Sequence, residues 1–194
     1  MTAGEGRLPR IGIVIGSIRR GRKGGGVGAW VEGIASRRED LRASVLDVET
    51  YDLPLLTEET LPAAADREYE SEKVRRWSRD VDSCDGYVFV TPEYNHGVPG
   101  AFKNAVDCLA PEWTGKPIGF VSYGSESGVR AVEQWRQIVA NFEMVDVRAQ
   151  VSMSTFAEFE EDGAFAPSDR REGELGRLLD QLVRRVGEQI GKDS

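Results

Sequence analysis

The sequence contains few of the residues that build disulfide frameworks and metal sites. Its 194 residues include two cysteines and one histidine. Cys84 and Cys108 are not in CxxC spacing, and no histidine cluster lies near either of them. No set of residues reaches the ligand count of a zinc or non-haem metal site. We therefore predict two buried thiols and no metal dependence.

Long apolar runs and an excess of positive charge are also missing. No stretch approaches the roughly 20 apolar residues that span a bilayer, and none follows the N-terminal sequence MTAGEGRLPR. The formal net charge of −8 disfavours a general nucleic-acid or anionic-membrane surface. The length and the hydrophobic fraction of 40% suffice for one sizeable core. We expect a cytoplasmic protein with a single domain over residues 1–194.

Short apolar segments alternate with segments of helical period. Residues 11–15, 87–90 and 118–121 are rich in β-branched or aromatic side chains, as buried parallel strands are. Residues 43–48 and 145–151 alternate in polarity, which is typical of strands nearer the sheet edges. With about five helices between them, these strands predict an α/β fold with a doubly wound, five-stranded parallel sheet. The predicted strand order is 2-1-3-4-5, with helices on both faces and a core over about residues 10–190.

Two segments between the predicted elements have few core candidates. Residues 54–67 are rich in proline and alanine, and residues 158–169 are acidic and contain glycine and proline. Connections of this composition usually run over the protein surface. We predict that both are surface excursions.

The loop after the first strand combines small, hydroxyl and basic residues. From Gly16 to Gly26 it reads GSIRRGRKGGG, and its last glycines open a helix. Backbone N–H groups, a hydroxyl and guanidinium groups suit one phosphate, and the loop follows the central strand, where such sheets bind ligands. No Ser or Thr follows the lysine as in a P-loop, so nucleoside triphosphate chemistry is not predicted. The alternative is a solvated basic loop.

The loop after the third strand is stiff and partly aromatic. From Thr91 to Asp107 it reads TPEYNHGVPGAFKNAVD. Two prolines restrict its backbone, Gly97 permits close approach to a ligand, and Tyr94 with Asn95 places a flat apolar face beside polar groups. This combination favours a planar heterocycle held by stacking and edge hydrogen bonds. The alternative is a rigid connection from strand to helix.

Together the two loops resemble those of the NADPH-dependent FMN reductase family. GSIRRGRKG and TPEYNHGVPGAFKNAVD keep the family's order and spacing, and the resemblance covers about residues 10–150. It implies a flavodoxin-like fold that binds FMN, with the phosphate in the first loop and the isoalloxazine ring along residues 92–95. A third, ring-side segment follows strand four, where Ser127-Gly128 replaces the usual Gly-Gly pair. The implied cofactor-binding residues are Ser17, Arg19, Arg22, Lys23, Gly24, Gly25, Pro92, Glu93, Tyr94, Asn95, Ser122, Tyr123 and Gly124.

The resemblance also implies an activity. Members of the family include flavin, quinone, azo-dye and chromate reductases. NADPH or NADH would supply two electrons, which pass through bound FMN by a ping-pong mechanism to a quinone, free flavin, azo compound or metal oxyanion. Two other hypotheses stay open. One is a non-enzymatic electron carrier of the flavodoxin type, whose phosphate loop is generally rich in Ser and Thr without arginine, and the other is a flavin-free binding protein on the same fold.

The family's usual assembly implies a homodimer or homotetramer. We expect its interface on the helix after Pro99 and on the helix from Gly128 to Phe142, with Phe102, Trp135 or their neighbours buried between subunits.

Individual residues of the second loop also have simpler interpretations. Glu93 is predicted to form an ion pair with Arg130, and the alternative is a ring-edge acceptor through its backbone. Lys103 is spaced i,i+4 from Asp107 for a pair or a subunit contact. His96 is a loop residue rather than an acid or base, because hydride transfer to a flavin needs no protein base. No catalytic side chain is therefore predicted.

Overall fold

Five parallel strands form one sheet in the computed structural model, which describes residues 7–191. The strands are β1 (Arg10–Ile15), β2 (Arg42–Asp47), β3 (Gly86–Pro92), β4 (Pro117–Gly124) and β5 (Val145–Ser154), in the order β2-β1-β3-β4-β5. The predicted fold class and strand order are confirmed. Every residue of β3 is buried, whereas β2 and β5 mix buried and exposed positions. This difference follows from their places at the centre and the edges of the sheet.

Helices cover both faces of the sheet. They are α1 (Gly24–Ala35), α2 (Val48–Tyr51), α3 (Glu72–Asp82), α4 (Gly100–Asp107), α5 (Val129–Ala140) and α6 (Arg170–Ile190). The apolar sides of α1 and α6 pack on one face, and those of α2 to α5 pack on the other. Within the described part of the chain, no helix is both long and apolar enough to cross a bilayer.

The short helix α2 was not predicted, and it shortens the expected second strand by one residue. Val48 begins the helix because the carboxylate of Asp47 accepts a hydrogen bond from the backbone N–H of Glu49 at 3.2 Å. A side-chain oxygen in this position satisfies a free N–H of the first turn. Asp52 then ends the helix with a φ of 46°.

An aromatic cluster fills the face covered by α2 to α5, and it corrects one prediction. Phe102 and Trp135 are fully buried within the monomer. Their rings lie 4.7 Å and 5.3 Å from the ring of Phe89 on the central strand. The expectation that these two residues form the subunit interface is therefore wrong. A helical stripe shows which residues share a face, but it does not show that the sheet covers them.

The two predicted surface excursions differ. Residues 54–67 are largely exposed, as predicted. The prediction is wrong for part of residues 158–169, because Glu158 is only 2% exposed and its carboxylate accepts from the Ser168 N–H and from Arg171, each at 2.7 Å. Phe159 and Phe165 pack against the core beside it. The buried carboxylate is stable because it is paired with a cation and accepts a hydrogen bond from a backbone N–H. The acidic composition of the segment gives no sign of this pairing.

Both cysteines are buried, as predicted, with 1% exposure each. Burial raises the pKa of the Cys84 thiol, and it raises the pKa of the Cys108 thiol to about 11. Neither is a reactive thiolate at neutral pH.

Candidate functional site

The carboxyl ends of β1, β3 and β4 meet around a cleft of about 230 Å³. β3 pairs with β1 on one side and with β4 on the other, which places Pro92 beside Tyr123. The cleft is lined by Arg19, Arg22, Lys23, Pro92, Glu93, Tyr94, Tyr123, Gly124, Ser125 and Thr155. The fold therefore brings together residues from all three predicted ligand-binding loops.

Two of the lining residues were missed. Ser125 extends the loop after β4, and Thr155 directly follows β5. The rule that ligands bind at the carboxyl ends of parallel strands would have found Thr155, had it been applied to the fifth strand as well.

Three other cavities, of about 370, 460 and 550 Å³, are larger but do not lie at the carboxyl ends of the strands. The cavity of about 370 Å³ lies between residues 54–58 and the start of α3. Its lining includes Glu58 and Glu70 and contains no lysine or arginine. An anionic ligand is disfavoured there, so the smaller cleft at the strand ends is the better candidate site.

The first residue of the loop after β1, Gly16, packs very closely against Phe102. A Cβ atom on Gly16 would lie 1.8 Å from the ring of Phe102, so only glycine fits at this position. The next residue, Ser17, is 1% exposed, and its hydroxyl lies 2.7 Å from the Tyr94 hydroxyl. Tyr94 therefore fixes the loop after β1 as well as lining the cleft.

Arg22 braces the loop against the end of β2. Its guanidinium donates to both carboxylate oxygens of Asp47 and to the carbonyl oxygen of Ser17, each at 2.6 Å, and it forms a 2.6 Å ion pair with Glu49. These bonds raise the pKa of Arg22. Two carboxylates already match its charge, so Arg22 is placed to position the loop, although it lines the cleft.

The other two cations of the cleft are less engaged. Arg19 is exposed, and its guanidinium forms no hydrogen bond or ion pair with residues 7–191. The Lys23 ammonium lies 4.0 Å from the centre of the Phe159 ring, a cation–π contact. Lys23 also precedes the first residue of α1, and no side chain caps that helix. Free N–H groups, including those of Gly24 and Gly25, and a free guanidinium thus lie at one end of the cleft.

The segment after β3 forms the opposite wall. The backbone N–H of Glu93 donates to the Tyr123 carbonyl at 3.1 Å, and its carboxylate bonds the Arg130 Nε at 2.5 Å. The predicted ion pair between Glu93 and Arg130 is confirmed. The predicted pairing of Lys103 with Asp107 is also confirmed, with 2.7 Å between Nζ and Oδ1.

A tight turn closes this segment. Tyr94 and Gly97 exchange two backbone hydrogen bonds of 3.0 Å, and the two residues between them, Asn95 and His96, have positive φ angles of 48° and 72°. This is the geometry of a two-residue hairpin turn, which Asn and His adopt more readily than most residues. Both are exposed and neither lines the cleft.

The loop after β4 is held by a buried hydroxyl and by two left-handed residues. Ser122 is fully buried, and its hydroxyl donates to the Ser127 carbonyl at 2.8 Å, so it supports the loop from beneath. Ser127 and Gly128 have φ angles of 60° and 71°, where a Gly-Gly pair would be unstrained. A Cβ on Gly128 would approach the Tyr123 nitrogen to 2.9 Å, whereas Ser127 is tolerated.

Tyr123 completes the basic end of the cleft. It is 4% exposed, and its hydroxyl has no partner at hydrogen-bond distance among residues 7–191, although the Ser17 hydroxyl, which is paired with Tyr94, lies close by. A Cβ on Gly24 would lie 2.6 Å from this hydroxyl, which places the hydroxyl at the first residue of α1.

These residues fit FMN. One end offers an uncapped helix start, a free guanidinium and a partnerless buried hydroxyl, which suit a phosphate monoester. The other end offers the Pro92–Tyr94 wall and the Gly124 loop, which suit a planar ring. Residues 7–191 place no three His, Cys, Asp or Glu side chains together in a way that could hold a metal ion.

Residues 9–158 match the family model described as NADPH-dependent FMN reductase. The chain belongs to this family. An NAD(P)H-dependent FMN reductase of Nectria sp is 40% identical over 131 residues, which are 66% of this chain and 65% of that protein. A quinone reductase of Escherichia coli (strain K12) is 37% identical over 134 residues, which are 65% of this chain and 66% of that protein. The chain thus matches just under two thirds of the length of these two relatives.

The fold of this FMN reductase family member is also that of a solved flavoenzyme. FerB, an NAD(P)H:(acceptor) oxidoreductase from Paracoccus denitrificans, superimposes with a TM-score of 0.70 and 19% sequence identity. The match covers 93% of this chain and 98% of that chain. At this identity the likeness concerns the fold alone.

Proposed function

We propose that this protein is an NAD(P)H-dependent oxidoreductase that binds FMN in the cleft at the carboxyl ends of β1, β3 and β4 and reduces a small acceptor. The observation that carries the proposal is the pairing, in one cleft, of the unpaired Arg19 guanidinium, from the loop before α1, with the flat Pro92–Tyr94 wall. A dianionic phosphate and a planar heterocycle on one ligand match these two ends.

The chain's own residues divide the binding task. Arg19 and the first N–H groups of α1 would hold the phosphate, and Arg22 would keep the loop in place through Asp47. Pro92, Tyr94 and Gly124 would position the ring. When bound, FMN supplies the capacity to accept a hydride and to pass on two electrons.

The side chains near the ring do not provide a free acid or base. Glu93 is tied to Arg130, and His96 lies on the exposed turn, where its carbonyl accepts from the Gln134 amide at 3.0 Å. The chain therefore contributes orientation and an accessible ring face rather than proton transfer. The names of the relatives support NADPH or NADH as the donor and a flavin or a quinone as the acceptor. Azo compounds and metal oxyanions are further candidate acceptors, which the family resemblance implies.

A flavodoxin-type carrier is the second candidate. The basic loop disfavours it, because three cations line the cleft around the phosphate end.

We also propose a cytoplasmic homodimer or homotetramer. Leu55 and Leu61 are 74% and 71% exposed, and Asn104 on α4 holds their loop through the Pro54 carbonyl and the Leu56 N–H. An ordered apolar loop beside α4 supports a subunit contact there.

We expect the purified protein to bind FMN more tightly than riboflavin, because only FMN carries the phosphate. Arg19→Ala removes a charge-assisted hydrogen bond worth about 1.5 to 3 kcal/mol and should weaken FMN binding roughly tenfold to a hundredfold. Flavin fluorescence titrations with both ligands measure the effect. Arg20→Ala is the control, since it removes the same charge one residue away from the cleft lining. Equal affinities of the wild-type protein for FMN and riboflavin would contradict the phosphate site.

We expect the donor and the acceptor to alternate in the cleft. With FMN bound in this cleft of about 230 Å³, we expect one open ring face, too small for nicotinamide and a bulky quinone together. Initial rates at several fixed quinone concentrations should give parallel double-reciprocal lines. Intersecting lines would show that both substrates bind at once. If neither NADPH nor NADH reduces the bound flavin, the protein is a carrier instead.

A further inference from the structure

Among the buried side-chain polar atoms of residues 7–191, the Tyr123 hydroxyl is the one that the fold leaves without a hydrogen-bond partner. Buried tyrosine hydroxyls usually find a hydrogen-bond partner, because burying a polar group without one is unfavourable. Tyr123 could have been phenylalanine if its only task were to pack. A partner supplied from outside the chain would explain the hydroxyl.

The position of this hydroxyl identifies the chemistry of that partner. β3 lies between β1 and β4, so the Tyr123 ring reaches past the end of β3 to the first turn of α1. A Cβ on Gly24 would meet the Tyr123 hydroxyl at 2.6 Å and the Ser17 Cβ at 3.5 Å. The helix start there has no side-chain cap, and Arg19 also lines the cleft. All of these groups are donors or positive, which favours an anion with several acceptor oxygens.

We propose that Tyr123 donates its hydroxyl hydrogen to the phosphate monoester of the flavin and so selects phosphorylated flavin over riboflavin. This inference rests on the proposed function and moves Tyr123 from the ring wall, where the sequence placed it, to the phosphate end. Burial raises the pKa of Tyr123 well above its ordinary value, so the group stays a neutral donor at pH 7 and does not repel the phosphate. An O–H···O⁻ hydrogen bond to a phosphate oxygen is stronger than one between neutral groups.

Tyr123→Phe tests the proposal, because it removes one oxygen and retains the ring. We expect FMN to bind roughly tenfold to a hundredfold more weakly, with riboflavin affinity within about twofold of the wild-type value. The flavin-free variant should melt higher by about 2 °C or more, because it no longer buries an unpartnered hydroxyl. If Tyr123 only stabilised the fold, its substitution would not both raise the melting temperature and weaken FMN binding.

Tyr87→Phe is the matched control. The Tyr87 hydroxyl is buried but donates to the Val81 carbonyl at 2.9 Å, far from the cleft. Its loss should lower the melting temperature and leave FMN binding unchanged. The proposal is overturned if Tyr123→Phe binds FMN as the wild type does, or if it weakens FMN and riboflavin equally.

Inorganic phosphate separates failure of this inference from failure of the proposed function. If wild-type protein binds neither flavin, the FMN function is wrong. If phosphate nevertheless raises the melting temperature of the wild type more than that of Tyr123→Phe, Tyr123 is still a phosphate ligand. If phosphate stabilises both proteins equally, Tyr123 is not one.

Discussion

Gly16→Ala should destabilise the protein by about 3 kcal/mol and abolish tight FMN binding. Its new methyl group would lie 1.8 Å from a ring carbon of the fully buried Phe102, so α4 or the phosphate loop has to move. Overpacking of this kind typically costs about 1 to 3 kcal/mol, and this contact is far inside the normal separation. Urea unfolding and an FMN titration measure the two effects.

Gly33→Ala is the matched control for this prediction. Gly33 lies within α1, and a Cβ there meets nothing within 4 Å. Alanine should stabilise the helix by about 0.5 to 1 kcal/mol. Adding Phe102→Leu to Gly16→Ala should recover part of the lost stability, because the smaller side chain makes room for the methyl group. Strictly additive effects of the two substitutions would refute the clash.

Arg171→Ala should be similarly damaging, with a loss of about 3 kcal/mol. The Arg171 guanidinium lies 2.7 Å from the Glu158 carboxylate, and the two side chains are only 9% and 3% exposed. Removing one partner of a buried ion pair leaves the other charge uncompensated. Arg184→Ala is the control, because its pair with Glu188 is exposed and should contribute less than about 0.5 kcal/mol. A loss below about 1 kcal/mol for Arg171→Ala would contradict this account.

The same pair makes stability depend on pH. Burial alone would raise the pKa of Glu158, but the Ser168 N–H and Arg171 outweigh it and lower the pKa below its ordinary value of 4.5. A carboxyl group with a lowered pKa stabilises the fold above its unfolded-state pKa, and this contribution is lost as the pH falls through the folded-state value. The stability of the wild type should therefore drop more steeply below about pH 4.5 than that of Glu158→Gln, as urea unfolding at a series of pH values would show.

This ion pair links stability to the candidate site. Glu158 and Arg171 anchor the segment between β5 and α6, which contributes Thr155 to the cleft and Phe159 to the contact with Lys23. Loosening the pair should therefore weaken ligand binding as well as the fold.

Local patterns predicted the sheet well. The three apolar segments at residues 11–15, 87–90 and 118–121 became the central strands, because continuous β-branched and aromatic runs fit only positions that are buried on both faces. The helix α2 was missed because its four residues are too few to show a helical period. Its start depends on the Asp47 carboxylate, which caps the first turn. The prediction for residues 158–169 was partly wrong because amino-acid composition does not distinguish a buried, paired carboxylate from an exposed one.

The candidate site was predicted as a set of loops, and the structure decided what the individual side chains do. Arg22 was expected on the phosphate, but it binds Asp47 and Glu49. Tyr123 was expected beside the ring, but its hydroxyl lies at the start of α1. Neither contact has a local signal, because each joins residues from different strands whose distance depends on sheet order and register.

The amino-acid sequence by itself determined the alternation of strands and helices, the strand order and the loops that form the ligand site. These depend on side-chain period, chain handedness and the common direction of parallel strands, all of which act locally or follow general rules. Only the tertiary structure decided that Phe102 and Trp135 are core residues, that Arg22 braces a loop and that the buried Tyr123 hydroxyl has no hydrogen-bond partner among residues 7–191. These outcomes depend on contacts within a few ångströms between elements distant in the chain, and the packing of the whole fold sets them.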